Sequence, residues 1–271
     1  MARSVGFVNV LKKIYPARYL GALMTNLPVL ETIANTLFFM GDDVIYLPRD
    51  GTIQIKENIP QPEQSALPSE IVEHFIEIAK YHFIMDFCLC RDGAGCRDYP
   101  REYGCLFLGE AVLDINPEFG SLVTKEKALY HVRRCRDAGL VHMVGRNQLD
   151  KVWLGAGPGH KLLTICNCCP CCCLYGTLPY ASPKISRKIH RLPGLQVTVN
   201  DLCSGCGMCT EGVCFVDAIE LINGQARILE DCRGCGRCVE VCPNGAIEIS
   251  IEHSSVYQNT IERISNLVDV T

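Results

Sequence analysis

Apolar residues recur with helical spacing in three parts of the chain. Residues 8–40 and residues 69–83 both place apolar side chains three to four positions apart, which is typical of amphipathic helices. A third helix is expected to begin after Thr124 and to end at Gly139, because glycine favours the left-handed conformation that terminates helices. Cys135 falls on the apolar side of this helix, so we interpret it as a buried core thiol rather than a ligand.

Breaks in this pattern suggest where domains meet. Two short apolar runs, 44–48 and 51–56, lie close enough to form a hairpin, and the polar, proline-rich residues 57–68 follow them as a loop. Residues 176–196 combine prolines, glycines and a basic run, which is typical of a connector. We therefore expect a mostly helical, cysteine-rich region at 1–180, a linker at 181–194 and a second domain at 195–271.

Charge and hydropathy narrow the classes of protein. The formal net charge is −4, and charged residues are interspersed without a long single-sign run. Nothing therefore favours binding to nucleic acid or to an acidic membrane surface. Residues 18–40 are apolar but are interrupted by Arg18, Glu31 and Asn35, which indicates buried helix rather than a membrane span. The N-terminus lacks the pattern of a secretory signal, so we expect the protein in the cytoplasm.

The chain contains 19 cysteines, and their arrangement points to metal rather than to disulfides. The number is odd, and most of them lie too close in sequence for ordinary pairing. Eight form an internal repeat of two C-x2-C-x2-C loops, each followed by a fourth cysteine, whereas a zinc ribbon takes two C-x2-C knuckles. A cubane needs four converging thiolates, of which such a loop supplies three. The eight are Cys203, Cys206, Cys209, Cys214, Cys232, Cys235, Cys238 and Cys242.

This segment, about residues 197–251, resembles the two-cluster bacterial ferredoxins, in which each fourth cysteine ligates the other cluster. Two departures from that family are visible. Four residues separate Cys209 from Cys214 instead of three, and Phe215 stands where the family usually has proline. The resemblance implies one 4Fe–4S cluster on Cys203, Cys206, Cys209 and Cys242, and another on Cys232, Cys235, Cys238 and Cys214.

Ten further cysteines occupy the middle of the chain in two groups. Adjacent cysteines point in divergent directions on a regular backbone, so one ordinary cluster does not use the whole second group. Three arrangements fit: a cubane on the first group with another on part of the second, one larger shared assembly, or one cluster with free redox thiols. We favour the first because four-thiolate cubanes are commonplace; structural or zinc-binding cysteines are the simpler alternative. The first group is Cys88, Cys90, Cys96 and Cys105, and the second is Cys166, Cys168, Cys169, Cys171, Cys172 and Cys173.

The region before residue 176, with its CxCR, GLVHMVGRN and ICNCCPCCC motifs, resembles ferredoxin-like iron–sulfur proteins of anaerobic microbes that carry a CCxCCC element. That group is largely uncharacterised, and the resemblance implies a redox role without a substrate. Arg91, Arg97 and Arg101 lie beside the first cysteine group. Guanidinium groups there would offset the charge of an anionic cluster, and ordinary surface arginines are the equal alternative.

These features predict an α+β protein that transfers low-potential electrons, as a carrier or an electron-transfer subunit of an anaerobic redox system. Two 4Fe–4S clusters are expected in the second domain, and one or two more clusters, or a larger assembly, in the middle region. The alternative is a reductase whose middle centre is catalytic and receives electrons from the C-terminal clusters. We favour a carrier because fold and cofactor alone do not define a reaction. The expected partners are redox proteins, with no nucleic acid and no membrane span, and the sequence is compatible with an oligomer.

Overall fold

The computed structural model describes residues 2–55, 68–251, 253 and 255–271, and it shows an α+β protein. The expected proline-rich loop at 57–68 lies outside the described residues except for Pro68, where α4 begins. The α-helices in the described part are α1 (Val5–Ile14), α2 (Arg18–Met24), α3 (Pro28–Phe38), α4 (Pro68–Ile78), α5 (Leu89–Gly93), α6 (Lys125–Asp137), α7 (Gln148–Leu154), α8 (Pro183–Ser186), α9 (Arg237–Val241) and α10 (Ser255–Ser265). The strands there are β1 (Asp43–Tyr46), β2 (Ile53–Ile55), β3 (His82–Met85), β4 (Leu106–Leu108), β5 (Gly120–Val123), β6 (Val141–Arg146), β7 (Leu163–Cys168), β8 (Ile189–Arg191), β9 (Leu195–Val199), β10 (Ile219–Ile222), β11 (Gln225–Ile228) and β12 (Ile247–Ile251).

A seven-stranded sheet forms the centre of the first two thirds of the chain. Its strand order is β5–β3–β4–β7–β6–β1–β8, and all neighbouring strands are antiparallel except β1 and β8. Alternate side chains of a strand point to opposite faces, and both faces of this sheet are covered. Phe75 of α4 and Val132 of α6 pack on one face, while Val8 of α1 and Trp153 of α7 pack on the other.

The region was expected to be mostly helical, and in its described part helices pack around a central seven-stranded sheet. One expectation here needs correction. The runs at 44–48 and 51–56 were expected to form a hairpin, and that prediction is wrong. Strand β1 pairs with β6 and β8, whereas β2 pairs with β12. Strands β1 and β2 each pair with a distant strand that offers a buried apolar neighbour. The gain from this packing exceeds the advantage of local pairing across a short loop.

The predicted helix at 124–139 is confirmed as α6. The Thr124 hydroxyl accepts a hydrogen bond from the Lys127 amide at 3.4 Å, which caps the helix. Gly139 has φ +79° just beyond the last turn, as a left-handed terminator requires. Cys135 is fully buried, as its position on the apolar side indicated.

The cysteine repeat lies in a smaller part of the fold that shares a sheet with the N-terminal region. Strands β9 and β12 are antiparallel, and β2 adds to β12 as a parallel third strand. Strands β10 and β11 form a separate hairpin. The segment 181–194, expected to be a linker, contains α8 and β8, and β8 extends the seven-stranded sheet. The division of the chain into two domains stays a prediction.

The apolar stretch at 18–40 folds as two helices, α2 and α3, with Pro28 at the first position of α3. The expectation of buried helix is wrong: α2 buries only Ala22, and α3 buries none of its residues and exposes Val29, Ile33 and Leu37. This helix packs on α7, and its apolar positions extend beyond that contact. Among the described residues, no helix has the length and apolar character needed to cross a membrane.

Candidate metal centres

The eight C-terminal cysteines surround two small cavities. Each cavity combines three cysteines of one loop with the fourth cysteine of the other, which is the grouping that the ferredoxin resemblance implies. Members of both sets pack in one apolar cluster, namely Cys203, Cys209 and Cys242 of the first set and Cys214 and Cys238 of the second. We refer to these cavities as site I, lined by Cys203, Cys206, Cys209 and Cys242, and site II, lined by Cys214, Cys232, Cys235 and Cys238.

Backbone amides point at the cysteine sulfurs in both sites. The Ala218 amide donates to Cys214 Sγ at 3.2 Å, and the Ala246 amide donates to Cys242 Sγ at 3.2 Å. These alanines begin the two copies of Ala-Ile-Glu in the repeat. Each copy therefore places a backbone N–H group on the sulfur of a fourth cysteine, as is common for cysteines that ligate clusters.

Glycine is required in the ligand loops for both conformation and space. Gly205 and Gly236 have φ +68° and +85°, in the left-handed region. A Cβ at Gly205 would lie 2.2 Å from the Gly224 carbonyl oxygen, and a Cβ at Gly236 would lie 2.7 Å from Thr52 Oγ1. Thr52 precedes β2, so the N-terminal region packs directly on the loop of site II.

Strand pairing brings six of the middle cysteines together. Cys166 and Cys168 are two residues apart on β7, so they point to the same face. Cys105 immediately precedes β4, which pairs with β7, and its Sγ lies 3.6 Å from Cys166 Sγ. Cys173 follows β7, and its Sγ lies 3.4 Å from Cys168 Sγ. With two cysteines at the start of α5 they form what we call the thiol ring: Cys88, Cys90, Cys105, Cys166, Cys168 and Cys173.

In the thiol ring, Cys88, Cys168 and Cys173 are buried, and Cys90, Cys105 and Cys166 are half-buried. Cys88 hydrogen-bonds to Cys90, and Cys90 interacts in turn with Cys173. Hydrogen bonding to a neighbouring thiol, together with burial, raises the pKa of Cys90, Cys166 and Cys173 well above the usual value. Thiolates this close repel one another, so the six ionise together only around positively charged metal. The all-sulfur donor set fits iron–sulfur ligation.

A second set of middle thiols, which we call the thiol quartet, lies beside the ring. Its four Sγ atoms all lie within 4.8 Å of one another, with Cys96 and Cys171 at 3.7 Å and Cys171 and Cys172 at 3.6 Å. A tetrahedral ion with metal–sulfur bonds of about 2.3 Å has sulfurs about 3.8 Å apart. This spacing suits one tetrathiolate centre. The quartet consists of Cys96, Cys169, Cys171 and Cys172.

The fold divides the ten middle cysteines differently from their order in the sequence. The first sequence group was expected to hold its own cubane, but Cys96 lies in the quartet and its three companions lie in the ring. The second group is also split between the two centres. Cys135 packs in the same buried cluster as the quartet, and its Sγ contacts His131 Nε2 at 3.6 Å.

Arg91 lies fully buried between the two middle centres. Its Nε donates to the Pro100 carbonyl at 2.8 Å and its Nη1 donates to the Asn167 carbonyl at 2.6 Å, while Nη2 donates to the Tyr103 carbonyl. Burial acts to lower the pKa of Arg91, but surrounding thiols of the ring and quartet outweigh it and raise the pKa. Of the three arginines noted in the sequence, Arg91 is the buried one; Arg97 and Arg101 are exposed.

Site II contacts the thiol ring through two aromatic side chains and an arginine. Phe215, next to Cys214 of site II, packs on Tyr46 with ring centroids 4.7 Å apart, and Tyr46 Oη lies 3.7 Å from Cys173 Sγ. Arg237, inside the site II loop, donates to the Cys168 carbonyl at 2.7 Å. The sequence pattern did not single out Tyr46 or Arg237, and Phe215 stood out only as a departure from the ferredoxin family. The place of Arg237 between two ligand cysteines was its only signal in the sequence.

The comparisons with known proteins address the C-terminal part of the chain. Residues 227–248 match the family of the 4Fe-4S binding domain. This stretch contains Cys232, Cys235, Cys238 and Cys242. The chain therefore has a ferredoxin-type iron–sulfur domain, and its cysteine-rich groups support iron–sulfur cluster binding. No curated protein and no solved structure matched the chain.

Proposed function

We propose that this protein transfers electrons between its ferredoxin-type domain and iron–sulfur chemistry in the middle region. The observation that carries the proposal is the continuous contact from Cys214 of site II through Phe215 and Tyr46 to Cys173 of the thiol ring. Iron–sulfur clusters, when bound, supply the redox chemistry. The chain's own residues hold the centres, exclude water between them and keep them at fixed separation.

We assign one 4Fe–4S cluster to site I and one to site II, as the resemblance implies. The ring and the quartet each hold a further centre, and the six thiols of the ring exceed the four that a simple cubane uses. A cluster in site I is nearest to solvent, because Cys206 is exposed and Leu202 and Met208 beside it are also exposed. We infer that a soluble, low-potential donor of an anaerobic cytoplasm docks there, and that electrons continue through site II to the ring.

Substitution of Phe215 tests this path of electron transfer. In Phe215→Leu, electron transfer from the ferredoxin-type domain to the ring should slow severalfold, because leucine keeps the apolar volume but loses the ring that packs on Tyr46. Rapid mixing with a reductant followed by freeze-quench EPR measures how fast the ring signals change after those of sites I and II. The matched control is Phe75→Leu, since Phe75 is a buried core residue of α4 away from the cysteines.

Both variants must retain the iron and sulfide of the unmodified protein for the comparison to hold. Equal rates in the two variants and the unmodified chain would contradict a path through Phe215. A slow rate in both variants would show a general packing effect instead.

A second candidate function is reduction of a bound molecule at the thiol ring. It is favoured by one observation, a cavity of small-molecule size that opens against four ring cysteines. In that case sites I and II deliver electrons to a catalytic centre, and the chain is a reductase rather than a carrier.

A further inference from the structure

A large cavity adjoins the thiol ring on the side away from site II. Its volume is about 510 Å³, within the range of small-molecule sites. Four ring cysteines, Cys88, Cys90, Cys105 and Cys166, form one wall. The other two ring cysteines contact Met143 and Tyr46 and do not line the cavity.

The remaining walls are mostly apolar. They come from α1, α3 and α7, with Leu11, Phe38 and Trp153 among the lining side chains. Polar groups at one side are already paired with one another: Asn147 Nδ2 donates to Asp150 Oδ2 at 2.7 Å and to Tyr175 Oη at 2.9 Å. Burial raises the pKa of Asp150 to about 6. These groups need no ligand to satisfy them.

Arg18 is the exception among the polar groups of the cavity. Its guanidinium stacks on the rings of Tyr15 and Tyr19, 4.6 Å from each centroid. Its Nη1 donates to the Tyr15 carbonyl at 3.4 Å, and within the described residues no carboxylate forms an ion pair with the guanidinium. A positive charge beside an apolar cavity without an anionic partner is costly. A carboxylate is the group that best matches a guanidinium.

We propose that this cavity binds a small apolar organic carboxylate, with its carboxylate on Arg18 and its apolar part along α1 and α7. The inference rests on the proposed function only in that the ligand lies against the ring at which electrons arrive. Binding of the carboxylate requires no electron transfer, so the binding inference and the proposed function can be tested separately.

Trp153 provides the measurement, because it is the single tryptophan of the chain and lines the cavity. Octanoate titrated into the anaerobically purified, iron-loaded full chain should change Trp153 fluorescence in a saturable manner. Octan-1-ol, with a similar apolar part and no charge, should bind at least about tenfold more weakly, because it lacks the charge-assisted hydrogen bond.

Substitutions in the protein distinguish recognition of the carboxylate from packing of the apolar part of the ligand. Arg18→Gln should weaken octanoate binding at least about tenfold while leaving octan-1-ol unchanged. The matched control, Lys13→Gln, removes an exposed positive charge from α1 at a residue that does not line the cavity. It should leave the affinities for octanoate and octan-1-ol unchanged. Val152→Phe fills part of the cavity and should weaken both probes.

Three outcomes would overturn the inference. The first is the absence of saturable binding to the iron-loaded chain, including the case in which only iron-free protein binds, since the cavity would then be the space for metal. The second is equal affinity for octanoate and octan-1-ol. The third is an Arg18→Gln variant with unchanged octanoate affinity, whether or not its iron content or ring EPR signals change. Iron content and the freeze-quench rates, measured on the same samples, report the proposed function independently.

Discussion

At the scale of single residues, Arg91 has an unusual environment. It is a fully buried cation whose hydrogen bonds all go to backbone carbonyls and whose charged neighbours are thiols. The three carbonyls belong to segments that carry the cysteines, so the guanidinium also fixes loop positions. A cation near an anionic cluster favours the reduced state and raises the reduction potential.

Replacing Arg91 should separate charge from hydrogen bonding. Arg91→Met should lower the reduction potential of the middle centres, because the buried positive charge is lost. Arg91→Lys keeps the charge and should leave the potential close to that of the unmodified protein. Both variants should be less stable, by about 1–3 kcal/mol for each carbonyl left unpaired. EPR-monitored redox titration gives the potentials, and anaerobic thermal unfolding gives the loss of stability.

The potentials decide this prediction. If Arg91→Lys and Arg91→Met shift the potential of the middle centres equally, the charge of Arg91 has no part in setting it. Potentials of sites I and II serve as internal controls, since Arg91 hydrogen-bonds to neither.

At the scale of elements, β7 determines how the middle cysteines are shared. The strand presents Cys166 and Cys168 to the ring, and the chain then turns so that Cys169, Cys171 and Cys172 face Cys96. Cys168 and Cys169 therefore belong to different thiol groups, and so do Cys172 and Cys173, whereas the adjacent Cys171 and Cys172 both belong to the quartet.

This division predicts separate effects of cysteine substitutions. Cys90→Ala should alter the EPR and Mössbauer signals of the ring and leave those of the quartet unchanged. Cys96→Ala should do the reverse. Both variants should retain the signals of sites I and II. If instead the two substitutions remove the same signals, the cysteines group by their order in the sequence and Cys90 shares a centre with Cys96.

Features of the fold and of the candidate metal centres that depend on local interactions could be predicted from the sequence. Features that depend on pairing between distant segments could not. The ligand loops and α6 depend on short spacings, so the pattern around Cys203 and the bounds of α6 after Thr124 and at Gly139 could be predicted. The thiol ring depends on the pairing of β4 with β7, which brings Cys105 to Cys166 across a long stretch of chain. No local spacing encodes that pairing. The hairpin prediction failed for the same reason, because β2 pairs with β12 instead.

At the scale of the whole molecule, the ferredoxin-type domain depends on contacts from outside its own segment. Strand β2 completes its sheet, Thr52 packs on Gly236, and Arg49 forms an ion pair with Glu240 at 2.6 Å. The eight cysteines of sites I and II, by contrast, all lie after residue 194. Ligation is self-contained, but packing is not.

A fragment beginning at residue 194 should therefore fold only with iron and sulfide, since metal binding and folding are coupled. We expect it to hold eight irons but to release them to a chelator faster than the full chain, because the β2 edge and Thr52 are missing. Iron and sulfide analysis and the rate of chelation check both points. Four irons with Cys214 unligated would contradict the assignment of site II, and equal release rates would contradict a stabilising role for β2.

The pairing of β2 with β12 also affects the order in which the protein is made. Strand β2 is synthesised long before β12, and pairing of such distant segments is slow. The edge of β2 therefore waits for its partner while the middle cysteines emerge. A chain truncated before β12 lacks the strand against which β2 and the site II loop close, so site II can close only after β12 has been synthesised.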